Sequence, residues 1–347
     1  ADTNATGIDS LDVKAALEES LSEWNASAPI SLRPVYTSSP PAFGSGASFR
    51  FSSNPAFFGA GVLAVTSVGY NSSTGSIYSA DIVMNDSFYS PTNFTALKTE
   101  SSGSQAYLGD VISHEIGHLL GLNHSEVGQS SMIFSIFKGQ YSPHSDDIKG
   151  LQDLYSTSHF RGIKGKVVGE NMAPVFGAHV QAIDVESNQV AAGVFSDEQG
   201  NFYFKGLEAN KSYALYMNPI RSKENLPEYY STFQANFCDG NSFQPSFFSK
   251  CGGRNLGRAQ IIKVDSNSVV NVGNFTVKCS TSAHPEYLRQ KLIADEDSFY
   301  TAMDYLDDYK THATFTGYFS QNDLNKEEDG KGDRIRLDLS GLDVSSL

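Results

Sequence analysis

HEIGHLLGLNH, residues 114–124, is the stretch on which the reading of this chain turns, because it places three of the eight histidines, one acid and two glycines within eleven positions. Ile116, Leu119 and Leu120, together with Leu108, Val111 and Ile112 upstream, recur at helical spacing. A buried helix is therefore predicted over residues 106–120, stopped by Gly121. His114 and His118, four apart on that helix, project from one face and can reach one cation. Gly121 tolerates the left-handed conformation that ends a helix and turns the chain back, so His124 is expected to arrive from a different direction. Three imidazole nitrogens leave one tetrahedral position of Zn²⁺ open, which is the arrangement of a catalytic centre and not of a closed structural one. Glu115 follows the first ligand, where its carboxylate can take a proton from an activated water. The chemistry these residue types support at this spacing is peptide hydrolysis without a covalent intermediate.

Working outward, Val13, Ala16, Leu17, Leu21 and Trp24 make one apolar face, predicting a helix over 10–24 with Asp9 or Ser10 as its cap. Residues 31–36, 48–53, 61–67 and 77–85 read as strands separated by Pro, Gly, Ser and Asn, which implies a small mixed sheet. A last helix is predicted over 145–155, where a serine cap and two acids suit the helix dipole. Past residue 159 the pattern turns to short strands only. Ala178, Val180 and Ala182 alternate with His179 and Gln181, and Phe202 with Phe204 and Tyr213, Leu215 and Met217 repeat the period of two. The expected fold is α+β over 1–159, an antiparallel β-sandwich over 160–280 with an insertion, and a C-terminal segment over 281–347 that forms part of a further β domain.

The net charge of −14 and the lack of any Lys/Arg run argue against a nucleic-acid partner. No stretch approaches the roughly 20 apolar residues that span a bilayer, and no basic segment with an apolar core opens the chain. A mature or trimmed product, secreted or displayed at the cell surface and monomeric, is expected. Of the three cysteines, Cys238 and Cys251 are separated by twelve residues and are expected to pair in an oxidising compartment. Cys279 is then expected to be free or paired elsewhere.

HEIGHLLGLNHS also resembles the elongated zinc signature of the metzincin metallopeptidases, and Ser125 looks like their matrixin branch, the matrix-metalloproteinase-like enzymes. SDDIKGLQDLY, residues 145–155, resembles the C-terminal helix of matrixin catalytic domains, and SMIF places Met132 where that family has its Met-turn. The resemblance covers roughly residues 10–156. It implies one catalytic Zn²⁺ on His114, His118 and His124, with protein or peptide substrates lying extended in a cleft. The edge strand beside the substrate is matched to residues 77–85, with Ala80, Asp81 and Ile82 at its centre; Gly61, Val62, Leu63 and Ala64 are matched to the opposite rim. Phe134, Ser135 and Ile136 stand where the family has a Pro-x-Tyr wall beside its specificity pocket. Only Asn54 to Ala56 separate the strand ending near Ser53 from Phe57 and Phe58, so the family's long loop for structural zinc and calcium is absent and Ca²⁺ is left open. No cysteine before Cys238 could serve a cysteine switch.

Residues 162–217 resemble the carboxypeptidase-regulatory-like, prealbumin-type sandwich in GIKGKVVG, GAHVQAID and DEQGNFYFKGL, which implies a spacer, a surface-binding module or plain structural support. Two other readings compete with the peptidase. One is an adhesion or binding protein whose metal site is vestigial, against which Glu115 argues because such a site needs no base. The other is a metzincin of another branch with a tyrosine ligand, for which Tyr141, nine residues after Met132, would be the group.

Overall fold

The structure is a computed structural model. It describes residues 8–27, 30–39, 41–59, 61–87, 94–98, 106–155, 161–220, 237, 243–249 and 259–279. The chain forms two compact units, one of residues 1–125 and 129–157, the other of residues 126–128 and 158–347. The segment expected over 281–347 lies outside the described residues.

The first unit is α+β. Helix α1, Ser10–Ser27, starts where the Asp9 carboxylate accepts the N–H of Leu11 at 2.7 Å, and it buries Val13, Ala16, Ser20 and Trp24. Strands β1 (Ala47–Ser52), β2 (Ala64–Tyr70) and β3 (Ile77–Asn85) follow, then the short β4 (Phe94–Thr95) and β5 (Ala106–Tyr107). Helices α2 (Leu108–Leu119) and α3 (Ser145–Tyr155) complete the unit. The three long strands order as β1-β3-β2, with β1 parallel and β2 antiparallel to β3.

This order corrects the matched cleft. β3 is the central strand, paired on both sides and buried from Ser79 to Asn85, so residues 77–85 are not an edge. Asp81 is structural: it accepts the Ser48 hydroxyl and the Gly44 N–H and pairs with Arg50 at 3.2 Å, while Ala80 and Ile82 are core. Among the described strands β1 and β2 are the ends of the sheet, and β2, the antiparallel one, is entered through Gly61, Val62 and Leu63. Residues 31–36 form no strand; Pro34 has no N–H to donate, and the Asn25 side chain brackets Leu32 on both its backbone groups instead.

Trp24, fully buried, donates from its indole N–H to the Ser113 carbonyl and hydroxyl, both at 3.0 Å, and the Ser20 hydroxyl reaches the Gly109 carbonyl. Gly109, Ser113 and Gly117 recur every four residues on α2, so small side chains let α1 approach one face of it. The core closes around Ile82, Met84, Leu108, Val111, Ile112, Ile116 and Leu151.

In the second unit, β6 (Gly162–Gly169), β9 (Asn201–Lys205) and β13 (Val269–Val277) form one sheet ordered β13-β6-β9. β7 (His179–Asp184), β8 (Val190–Phe195), β10 (Ser212–Asn218), β11 (Ser246–Phe247) and β12 (Ile262–Lys263) form the other. Ile163, Val167, Val180, Phe202, Phe204, Leu215, Met217, Phe275 and Val277, drawn from both sheets, share one apolar cluster. One expectation is corrected. The pair β13–β6 is parallel, with a register shift beside Gly273, so the unit is not wholly antiparallel. Both faces of β7 are covered: His179 and Gln181 are as buried as Val180, because Ile183, Ala214, Tyr216 and Phe247 put apolar residues on the sheet's other face too.

Of the two alternatives expected for Cys279, free or paired, the structure has it disulfide-bonded. The expected Cys238–Cys251 pair lies outside the described residues.

Candidate active site

Helix α2 delivers His114 and His118 one turn apart, and its C-terminus delivers the third histidine. Gly121 adopts φ +94°, its N–H bonds the His118 carbonyl, and the Leu122 N–H bonds the Gly117 carbonyl, a Schellman ending that satisfies the last carbonyls while reversing the chain. His124 therefore returns against the helix. Nε2 of His118 lies 3.1 Å from Nε2 of His114 and 3.2 Å from Nε2 of His124. Tetrahedral ligands about 2.0–2.1 Å from a zinc ion would sit roughly 3.4 Å apart, so the donor set fits that ion closely.

The other ring nitrogens explain why the Nε2 atoms face inward. Nδ1 of His114 meets the Ser131 carbonyl at 2.7 Å, and Nδ1 of His118 meets the Leu122 carbonyl at 2.8 Å. A carbonyl only accepts, so each Nδ1 carries the proton and each Nε2 presents a lone pair to the centre. Burial, and the two neighbouring imidazoles, hold His114 well below the usual histidine range and keep it neutral. His114, His118 and His124 are the single group among the described residues in which three histidine, cysteine or acidic side chains gather closely enough for one metal ion.

Glu115 is buried beside them, and burial pushes its carboxyl up to about 7, against the opposing hydrogen bond from Thr66. Thr66 on β2 donates its hydroxyl to Oε2 of Glu115 at 2.6 Å. Met132 supports the helix from below: a methyl group built on Gly117 would lie 2.1 Å from its sulfur, so only glycine admits the methionine there. The Met132 carbonyl accepts the Ser125 N–H at 2.9 Å, which ties the residue after His124 to the turn. Asp147 organises that turn, accepting the Ser130 hydroxyl and the N–H groups of Ser131 and His144, each N–H at 2.8 Å.

Of the matched cleft residues, Gly61 to Ala64 lead into the edge strand β2, Phe134 stacks edge-on against His124 with centroids 4.9 Å apart, and Ser135 is exposed. Ile136 packs against the core. In place of a Pro-x-Tyr wall, buried Gln140 gathers the loop by donating to the carbonyls of Ser131, Ile133 and Ser135. Tyr141 is engaged with the Tyr107 ring and with Lys98, whose Nζ lies 3.7 Å from its centroid. Thr66, Gln140, Ser131 and Gly117 were not singled out from the sequence. Gly117 had a signal in the four-residue repeat of small residues on α2; Gln140 had none.

Asp110, one turn before His114, is fully buried on α2 and accepts the N–H of Tyr141 at 2.8 Å, helped by those of Gly139 and Gln140. Its Oδ2 has no hydrogen-bond partner, and burial pushes the carboxyl from 3.8 up to about 7. The unfolded chain is then ionised where the folded one still holds its proton, so this group's contribution to stability is full below about pH 4 and is lost as pH rises towards 7, at up to about 1.4 kcal/mol per unit. His144, pushed down to about 4 by burial, works in the opposite sense. Thermal unfolding of Asp110→Asn minus that of the wild type, from pH 4 to 8, isolates the aspartate. The difference should rise in favour of the variant up to about pH 7 and then level; a flat difference would show that Asp110 does not titrate there.

These features define a cluster of three histidines able to hold a metal ion, with an adjoining carboxylate, in an α+β domain. Residues 2–156 match the family model for matrixin. A stretch of 59 residues is 36% identical to human matrix metalloproteinase-19; it covers 16% of this chain and 12% of that relative. The first unit is thus matrixin-like in both sequence and site.

Proposed function

We propose that this chain is a secreted zinc-dependent endopeptidase acting on extended protein or peptide substrates. The observation that carries the proposal is the convergence of three histidine Nε2 atoms with the buried carboxylate of Glu115 next in sequence and in space. His114, His118 and His124 would hold the ion through Nε2. A bound zinc would supply Lewis acidity, polarising the scissile carbonyl and lowering the pKa of water to about 7. Glu115 takes the proton from the attacking water and returns it to the departing amine. A substrate in extended form pairs with the edge of β2, whose one partner among the described strands is β3.

Secretion is supported by the Cys279 disulfide, since such bonds persist in oxidising compartments. Among the described residues no helix is long and apolar enough to cross a membrane. For the second unit the reading is a β-sandwich module serving as spacer or surface-binding element, supported by the apolar cluster its two sheets share.

Purified full-length protein is expected to carry about one zinc per chain and to cleave an unstructured protein. A chelator should remove both metal and activity, and stoichiometric Zn²⁺ should restore both. Two tightly held zinc ions, or none after reconstitution, would contradict the assignment.

A further inference from the structure

We propose that Thr66 is a positioning residue for the base: its hydroxyl holds the Glu115 carboxylate in one orientation and ties it to the strand along which substrate docks. The inference rests on the peptidase reading above. Among the described residues the Thr66 hydroxyl is the sole hydrogen-bond donor to the Glu115 side chain, at 2.6 Å from Oε2, the length of a bond to an ionised acceptor. Its second contact, to the Glu115 carbonyl at 3.2 Å, is longer, so the single hydroxyl proton is committed chiefly to the carboxylate. One carboxylate oxygen is thus engaged and the other is left for proton transfer.

The terminal torsion of a glutamate is broad and roughly two-fold, so a buried carboxylate without this donor can turn its reacting oxygen away. Ile112 and Ile116 on the same helix belong to the apolar core and have no side-chain donor to offer the carboxylate. Thr66 is also a residue of the edge strand itself. It pairs with Ile82 of β3 on one side, and among the described residues no strand takes the other side of β2, where a substrate strand would add. A peptide that adds to β2 therefore comes into register with the residue that aims the base. Docking and proton transfer share one rigid element, which is the condition under which alignment lowers a barrier.

The test compares Thr66→Val and Thr66→Ser with the wild type in the full chain. Valine keeps the β-branched shape and strand preference but has no hydroxyl. Zinc content, thermal unfolding, and kcat and KM on an internally quenched peptide are measured for each. Thr66→Val should keep its zinc and its Tm, keep KM within about twofold, and lose kcat by roughly ten- to a hundredfold, as expected for one hydrogen bond to a charged group. Thr66→Ser should regain most of that kcat. A kcat for Thr66→Val within about twofold of an active wild type overturns the inference while leaving the peptidase reading intact. So does a loss that appears in KM or zinc content, or one that serine fails to restore. A wild-type chain that holds zinc yet cleaves nothing overturns the peptidase reading, and this inference with it.

Discussion

Glu115→Ala should abolish peptide hydrolysis while leaving zinc bound. The carboxylate is not among the converging metal donors: those are the Nε2 atoms of His114, His118 and His124, and Glu115 faces Thr66. Removing it therefore takes away the proton acceptor and keeps the three ligands with their carbonyl partners at Ser131 and Leu122. General acid–base groups contribute typically about 10²–10⁴-fold, and one that both activates the water and protonates the leaving nitrogen belongs at or above the upper end. His118→Ala is the contrasting control. It deletes the Nε2 closest to both other histidines and should lose metal, activity and some stability together. Zinc content, thermal unfolding and cleavage of an unstructured protein are measured for both. If Glu115→Ala retains more than about a tenth of wild-type activity, Glu115 is not the base.

The largest stability effect expected in the first unit is at Asp147. This buried carboxylate accepts the Ser131 and His144 N–H groups, the Ser130 hydroxyl and, at 3.4 Å, the Met132 N–H. Alanine would leave those donors without acceptors in a dry site, at about 1–3 kcal/mol for each group that water cannot reach. A total of roughly 3–5 kcal/mol is expected, and about 2–4 °C of Tm accompanies each kcal/mol in a unit of this size. The effect should be measured on metal-free protein, so that zinc does not mask it. The same substitution releases the N–H of Ser131, the residue whose carbonyl orients His114, so zinc affinity should fall as well. A metal-free Tm within about 2 °C of wild type, less than one kcal/mol would shift it, would mean that the Met-turn is held by something else.

Asp147 also marks where reading along the chain stops being sufficient. From the sequence it was an acid in the first turn of a helix, suited to the dipole, and α3 does begin at Ser145. That the same carboxylate reaches back sixteen residues to the N–H of Ser131 has no signature in composition or period. Thr66 is the sharper case: its partner Glu115 is 49 positions away, and a threonine in a strand looks like any other.

What the sequence by itself determined is what depends on neighbours within a turn or two. The two histidines on one face of α2, the glycine that reverses the chain, Glu115 beside the first ligand, and α3 are all consequences of a 3.6-residue period and of one residue type that tolerates positive φ. The tertiary structure decided which strand is an edge. β2 and β3 both read as extended segments, and only pairing across the sheet, where β1 takes the second side of β3, buries Asp81 and leaves β2 at an end of the sheet among the described strands. It also decided that β13 runs parallel to β6 and that both faces of β7 are covered, His179 and Gln181 included. Strand order and two-sided burial are set by the best packing of segments far apart in the chain, and an alternating pattern fixes which residues share a face without fixing what covers that face.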